Sequence, residues 1–201
     1  MRAKHARTTA DFVGTSLSRQ RVRGQRGAAT VELALVLPLF LLVVFGMIEF
    51  GLTYNNYISL RQGAREATRQ GAVGNFGTAV TSSCQLTGTT GASTDIQDLM
   101  CQAKNQIGLA HGNLRVKVLA GSSADFSSAG TFAKGDSLII CVMYPVDPIV
   151  KFASPVLGGA VLKTKSSTRI ETSYPNTETG GQETALAGTD WNWCTVSASA
   201  P

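Results

Sequence analysis

The chain has 201 residues, of which 43% are hydrophobic and only 15% are charged, and its formal net charge is +5. This composition is too apolar for a disordered chain, and its charged fraction lies well below the roughly 25% of an ordinary soluble domain. The length allows one modest core, so we expect one folded domain with either a membrane-embedded segment or an unusually neutral surface.

The positive charge is confined to the first 26 residues. They contain seven Lys or Arg and one acid, Asp11, which gives this arm a net charge of +6. The other 175 residues contain eleven basic and twelve acidic residues, a net charge of −1. Because the basic excess belongs to a short arm, the sequence does not favour a nucleic-acid partner for the folded part.

The hydrophobicity is equally localised, in residues Ala28 to Ile48. Seventeen of these 21 residues are apolar, and Glu32 carries the only charge. A hydrocarbon core of about 30 Å is spanned by roughly 20 helical residues, so this run predicts a single transmembrane helix. Arginines cluster directly before the run, and the next basic residue after it is Arg61. The positive-inside rule then predicts a single-pass protein of the cell (inner) membrane, with a cytoplasmic N-terminus and an extracytoplasmic remainder.

A basic arm followed by an apolar run is found in three kinds of N-terminal signal: a secretory signal peptide, an uncleaved signal anchor and a prepilin-type signal. A secretory peptide requires a small-x-small site just after the apolar run, but bulky residues beginning at Glu49 and Phe50 follow it. Before the run, the basic arm ends at Gly27, which Ala28 follows, and Glu32 lies in the first turn of the expected helix. This junction favours cleavage between Gly27 and Ala28 by a prepilin peptidase, which leaves the helix on the mature protein.

The first helix is expected to continue beyond the membrane to about Gln70. One face has apolar residues at helical spacing, namely Tyr57, Leu60, Ala64 and Ala67, and another has Arg61, Arg65 and Arg69, which indicates amphipathic packing against a folded head. A Gly-, Ser- and Thr-rich loop follows, and a second, short helix then begins near Ser93. Its apolar stripe consists of Ile96, Leu99, Met100, Ala103 and Ile107.

Three strands follow in the predicted head. Alternation around Val116 predicts a half-buried strand, and the continuous apolar run from Ser137 to Tyr144 predicts a central strand covered on both faces. Val161 to Glu171 alternates weakly, with lysines typical of an edge strand. We therefore predict an α+β fold, in which a long N-terminal transmembrane helix extends into a small extracytoplasmic head with an antiparallel sheet of about three strands and a second short helix. The expected parts are a cytoplasmic leader (1–27), the helix with its extension (28–72), and the head with a polar tail (73–201).

All four cysteines follow the membrane segment, in a compartment where disulfides form. Three pairings are possible; we favour Cys84 with Cys101 and Cys141 with Cys194, because little else would hold the polar tail. A metal site is not expected, since the chain has no C-x-x-C and its only histidine beyond the arm is His111. No G-x-S-x-G, H-E-x-x-H or P-loop motif is present, so we expect neither an enzyme nor a cofactor.

The stretch from Arg26 to Ala72 resembles the TadE-like pseudopilin family, small membrane proteins of the Tad (Flp, type IVb) pilus machinery. The motifs that carry this resemblance are Gly27-Ala28, Val31-Glu32-Leu33, Pro38, Ile48-Glu49-Phe50-Gly51 and Ala64-Arg65-Glu66-Ala67. Looser similarity continues at Tyr144-Pro145 and from Thr168 to Glu171. The 26-residue leader and the tail with Trp191-Asn192-Trp193-Cys194 depart from the pattern of the family.

The resemblance implies a minor pilin that a prepilin peptidase cleaves after Gly27. Glu32, the fifth residue of the mature chain, would attract the terminal amine of a neighbouring subunit, and Pro38 would soften the helix where helices bundle. The implied partners are the prepilin peptidase, other pilins or pseudopilins, Tad inner-membrane assembly proteins and membrane lipid, with no nucleic acid and no small-molecule substrate. The alternative is a signal-anchored cell-envelope binding protein that never enters a filament.

Overall fold

The computed structural model describes residues 23–76, 84–121, 132–147, 158–174 and 178–195. The leader up to residue 22 lies outside these ranges. Within these ranges the elements are three helices, α1 (Arg23–Ala72), α2 (Thr94–Ile107) and α3 (Asn192–Thr195), and four strands, β1 (Arg115–Gly121), β2 (Ser137–Pro145), β3 (Val161–Arg169) and β4 (Gly181–Gln182). The chain divides into two compact units, residues 1–44 and 45–201, so the first part of α1 is described separately from the head.

Helix α1 begins earlier than the sequence predicts. It starts at Arg23, and the Gly27–Ala28 junction is therefore helical. Pro38 lies inside the helix, where it removes one backbone donor. The helix ends at Ala72 and is followed by a turn in which Gly74 has a φ of 74°. The expected boundaries at residues 27 and 72 separate the cytoplasmic leader, the transmembrane helix with its extension, and the extracytoplasmic head. These boundaries stay predictions.

The second half of α1 packs against the head by its apolar face. Leu60, Ala64 and Ala67 are fully buried, whereas the arginines on the opposite face are exposed. This arrangement confirms the amphipathic interpretation of the segment. The hydroxyl of Thr68 lies 2.8 Å from that of Ser166 on β3, and the amide of Glu171 donates to the carbonyl of Ala72 at 2.9 Å.

A glycine sets the distance between α1 and α2. A Cβ atom on Gly63 would lie 2.4 Å from the Cγ1 atom of Ile107 and 2.9 Å from its Cα atom. In the structure the missing side chain of Gly63 permits the close approach of the two helices.

Helix α2 follows the predicted stripe. Ser93 precedes it in an extended conformation, and Gly108 ends it in the left-handed region with a φ of 68°. All five residues of the apolar stripe are buried. The hydroxyl of Ser93 bonds to the carboxylate of Glu178 instead of capping α2, so this side chain ties the helix start to the tail.

The sheet is antiparallel with the strand order β3-β2-β1-β4. Val116 pairs with Val142 on one side, and Lys117 pairs with Gln182 on the other. Strand β3 lies at an edge, as predicted. The described residues form one strand more than the three or so expected from the sequence. The additional strand, β4, has only two residues and leaves no periodic pattern in the sequence.

Two apolar cores lie on opposite faces of the sheet. The larger core joins α1, α2 and one face of β1 and β2. The smaller core joins Leu119, Ile139, Cys141 and Met143 to Trp191 and Cys194 of the tail. The central position of β2 between two covered faces is therefore confirmed. The half-buried prediction for β1 is wrong, because the tail covers the face that carries Lys117.

Candidate functional site on the N-terminal helix

The anchor segment, Ala28–Ile48, has an apolar surface that no other described part of the chain buries. Its large side chains are widely exposed, including Leu35 at 76% and Met47 at 70%. None of its most apolar window is buried within the described chain. At about 25 cal/mol per Å² of apolar area, such a surface is costly in water, and covering it with lipid or other helices is favourable. Its 21 residues extend about 32 Å at 1.5 Å per residue.

This helix is the one element of the described residues that is long and apolar enough to cross a membrane. Beyond the anchor segment, the rings of Phe50 and Tyr54 stack with centroids 6.2 Å apart. Tyr54 is 55% exposed. Aromatic side chains at this position are typical of the membrane–water interface.

The predicted processing and assembly residues all lie on the exposed surface of α1. Gly27 and Ala28 form the proposed cleavage junction, and Glu32 lies four residues after Ala28. Residues four apart share a helix face, so Ala28 and Glu32 lie on the same side of α1. No described side chain forms an ion pair with Glu32. Pro38 lies further along the same helix and is also exposed. The helix geometry thus leaves the Glu32 carboxylate available to a group from another molecule.

A basic face follows the anchor segment on α1. Arg61, Arg65 and Arg69 recur every four residues and are exposed. Arg69 pairs with Glu66 at 2.8 Å, and hydrogen bonds from Arg69 and then Gln70 lower the pKa of Glu66 to about 2. An exposed pair of this kind contributes little to stability. Arg61 and Arg65 form no ion pair with any described residue, so this face has a net positive charge.

The head contains two disulfides. Cys84 is bonded to Cys101 and Cys141 to Cys194, which is the pairing favoured from the sequence. The second bond attaches α3 to the middle of β2, so the tail is fixed over the smaller core. Within the described ranges, no group of three His, Cys, Asp or Glu side chains is placed to hold a metal ion.

A buried ion pair also holds the tail, and sequence reasoning missed it. The ammonium of Lys104 lies 2.7 Å from Oε1 of Glu183, and both side chains are fully buried. The same ammonium donates to the carbonyl of Gln85 at 2.6 Å. Oε1 of Glu183 accepts from the amide of Thr87 at 2.7 Å, and Oε2 accepts from the amide of Val116 at 2.8 Å. Glu183 thus links α2, β1 and the loop before α2.

Burial lowers the pKa of Lys104, and the ion pair with Glu183 opposes this effect without reversing it. The sequence does contain one signal for this pair. Lys104 falls on the apolar stripe of α2, eight residues after Ile96, where a solvated lysine is not expected. The position of its acidic partner, 79 residues further on, has no local signal.

One membrane-anchoring helix and a disulfide-linked α+β head define the class of this protein. Residues 27–69 match the model of the family described as TadE-like protein. This match confirms the resemblance indicated by the motifs of the segment. It begins at Gly27 and lies entirely within α1, so the head is not part of it. No curated protein and no solved structure matches the chain.

Proposed function

We propose that the protein is a minor pilin, or pseudopilin, that takes part in assembly of a Tad (Flp, type IVb) pilus. The observation that carries this proposal is the TadE-like match, which begins at Gly27 and covers an apolar helix with no internal cover. A soluble domain would bury such a helix. A pilin uses it first as a membrane anchor and then as a packing surface for other subunits.

Processing would follow insertion. The basic leader stays in the cytoplasm, a prepilin peptidase cleaves between Gly27 and Ala28, and the head is presented outside the cytoplasm. Two observations support this orientation: the charge of +6 precedes the anchor segment, and both disulfides follow it. Disulfides form and persist in oxidising compartments.

Glu32 is the residue to which we assign subunit recognition. An ionised carboxylate near hydrocarbon is costly unless it meets an opposite charge. Cleavage creates such a charge, the free amine of Ala28, on every mature subunit. A neighbouring subunit's amine would therefore neutralise Glu32 when the helices dock. Pro38 leaves the carbonyl of Ala34 without its helical donor, which softens α1 in the region that packs against other helices.

The partners in this proposal are the prepilin peptidase, other pilins or pseudopilins, the Tad inner-membrane assembly proteins and membrane lipid. The role is structural. We propose no catalytic reaction for the chain and no cofactor.

Substitution of Glu32 tests the assembly role. In cells that assemble the pilus, Glu32→Ala should leave membrane insertion and disulfide formation intact but abolish recovery of the protein with sheared pili or pilus-assembly complexes. Val31→Ala is the matched control, because Val31 is an exposed neighbour in the same turn without charge. Normal co-assembly of Glu32→Ala would contradict the proposed role. That result would favour the signal-anchored binding protein, for which Glu32 has no assembly function.

A further inference from the structure

The smaller core of the head borders an open cleft of about 470 Å³. Its lining includes Lys117 of β1, Gln182 of β4 and the tail residues Thr184, Thr189, Asp190 and Trp191. This volume lies in the range of small-molecule binding sites in proteins. The assembly role described above does not use the cleft.

Lys117 is the feature that points to a ligand. Its side chain is only 5% exposed, yet it lines the cleft. Among the described residues, none forms an ion pair or a hydrogen bond with its ammonium group. Burial lowers the pKa of Lys117, and no neighbouring carboxylate opposes this effect. Lys104, the other buried lysine among the described residues, has Glu183 as its partner.

The Lys117 ammonium keeps some contact with solvent through the cleft, but burial of the rest of its side chain removes part of its hydration, and no opposite charge among the described residues compensates. The register places Lys117 opposite Cys141 and Gln182, on the face of the sheet that the tail covers. A group that enters from the cleft can therefore reach the ammonium, whereas the described protein side chains do not. An anion held there would recover the lost electrostatic stabilisation.

The rest of the cleft offers acceptors and an apolar wall. The hydroxyls of Thr184 and Thr189 donate to the backbone carbonyls of Gly88 and Leu186, so their lone pairs remain available as acceptors. The carboxylate of Asp190 is exposed and adds further acceptor atoms. The indole N–H of Trp191 donates inward to the carbonyl of Glu183 at 2.9 Å. One cation, several acceptors and an indole together suit a polyhydroxylated ligand with one anionic group.

We propose that this cleft binds an acidic sugar of the hexuronate class, whose carboxylate pairs with Lys117 and whose hydroxyls donate to the threonines and Asp190. A simple inorganic anion would satisfy Lys117 alone and would leave the acceptors unused. A neutral sugar would leave the ammonium unpaired. We assign binding to this cleft and propose no reaction there.

Tryptophan fluorescence can measure this binding in the full chain. The protein has two tryptophans, Trp191 at the cleft and Trp193, whose ring stacks on it with centroids 6.1 Å apart. The full-length protein in micelles of a polyoxyethylene detergent, which contains no sugar, is titrated with glucuronate, glucose and inorganic phosphate in turn. We expect a saturable change with glucuronate, and an affinity at least about tenfold weaker for glucose and for phosphate.

Variants then locate the site. Lys117→Met should weaken glucuronate binding by at least about tenfold, whereas Lys134→Met, which removes an exposed lysine, should change it by less than about twofold. Near-UV circular dichroism shows whether Lys117→Met keeps the native fold. Should that variant unfold, the comparison of glucuronate with glucose and phosphate on the unaltered protein still decides the proposal. Absence of a saturable change with glucuronate, or an affinity for glucose or for phosphate equal to that for glucuronate, would overturn it.

Discussion

Lys104→Met is the substitution whose cost the structure defines best. It removes the cation that faces Glu183 and leaves a fully buried carboxylate whose remaining partners among the described residues are the backbone amides of Thr87 and Val116. Loss of one partner from a buried ion pair costs about 3–5 kcal/mol. A domain of this kind has a total stability of about 5–15 kcal/mol, so the effect is large.

Adding Glu183→Gln to that variant should restore part of the loss. The amide oxygen of glutamine can accept from one of the two backbone amides, and its NH2 group faces the other, so one donor loses its partner, but no charge remains buried. We therefore expect the double variant to be more stable than Lys104→Met alone by about 2 kcal/mol. The control is Lys134→Met, an exposed site at which the free energy of unfolding should change by less than about 0.5 kcal/mol.

Guanidinium chloride unfolding of the full chain in micelles at pH 7, with both disulfides intact, measures these differences. Tryptophan fluorescence follows the transition, because the indole of Trp191 donates to the carbonyl of Glu183 itself. If Lys104→Met lowers the free energy of unfolding by less than about 1 kcal/mol, the reasoning is refuted, since loss of one partner from a buried ion pair should cost more than that. A double variant no more stable than the single one would also refute it.

Three further predictions concern the head, and each uses the same unfolding assay. Gly63→Ala should destabilise the head by about 1–3 kcal/mol, because the new methyl group would clash with the backbone at the end of α2. The control is Gly46→Ala, because no atom lies within 4 Å of a Cβ atom placed there. Equal effects of the two substitutions would contradict the packing argument. Replacing Cys141 and Cys194 with alanine should lower the free energy of unfolding by about 4 kcal/mol, since this bond closes a separation of 53 residues. Removing the Cys84–Cys101 bond, which closes a separation of 17 residues, should lower it by about 3 kcal/mol. A smaller loss for the Cys141–Cys194 bond than for the Cys84–Cys101 bond would contradict this reasoning. Asp98→Asn should raise stability at pH 7, because burial raises the pKa of this carboxyl and one of its oxygens has no hydrogen-bond partner.

The pH dependence of the Asp98→Asn effect has a defined sign. With the pKa raised in the folded state, the folded chain binds more protons than the unfolded chain between the ordinary aspartate pKa of 3.8 and the raised value. The free energy of unfolding therefore decreases as pH rises through that window. The advantage of the asparagine variant should shrink as pH falls through it, and an advantage independent of pH would show that the charge of Asp98 is not the cause.

Local pattern predicts much of this fold. The apolar run from Ala28, the stripe of α2 and the continuous strand β2 are each encoded within about 20 consecutive residues. Elements of this kind bury one face or both faces in a way that the sequence displays directly. The junction at Gly27 and the position of Glu32 are local patterns too, which explains why the candidate assembly residues can be found without a structure.

Contacts between distant segments escape this reasoning. The half-buried prediction for β1 follows from Lys117, which looks like a solvated residue until the tail covers it. Glu183 lies in a polar segment with no periodicity, and its role depends on Lys104, 79 residues earlier. Strand β4 is likewise defined only by its partner β1. The cleft and the buried ion pair both arise from the return of the tail to the sheet, which no local pattern encodes.

Intact-mass and N-terminal peptide mass spectrometry of the protein purified from its own membranes tests the central claim most directly. We predict that the mature chain begins at Ala28 and that a strain without its prepilin peptidase accumulates the chain with the leader still attached. A chain that keeps the leader in cells with an active peptidase, or one cut after the apolar run, would contradict the proposed processing and the pilin role that depends on it.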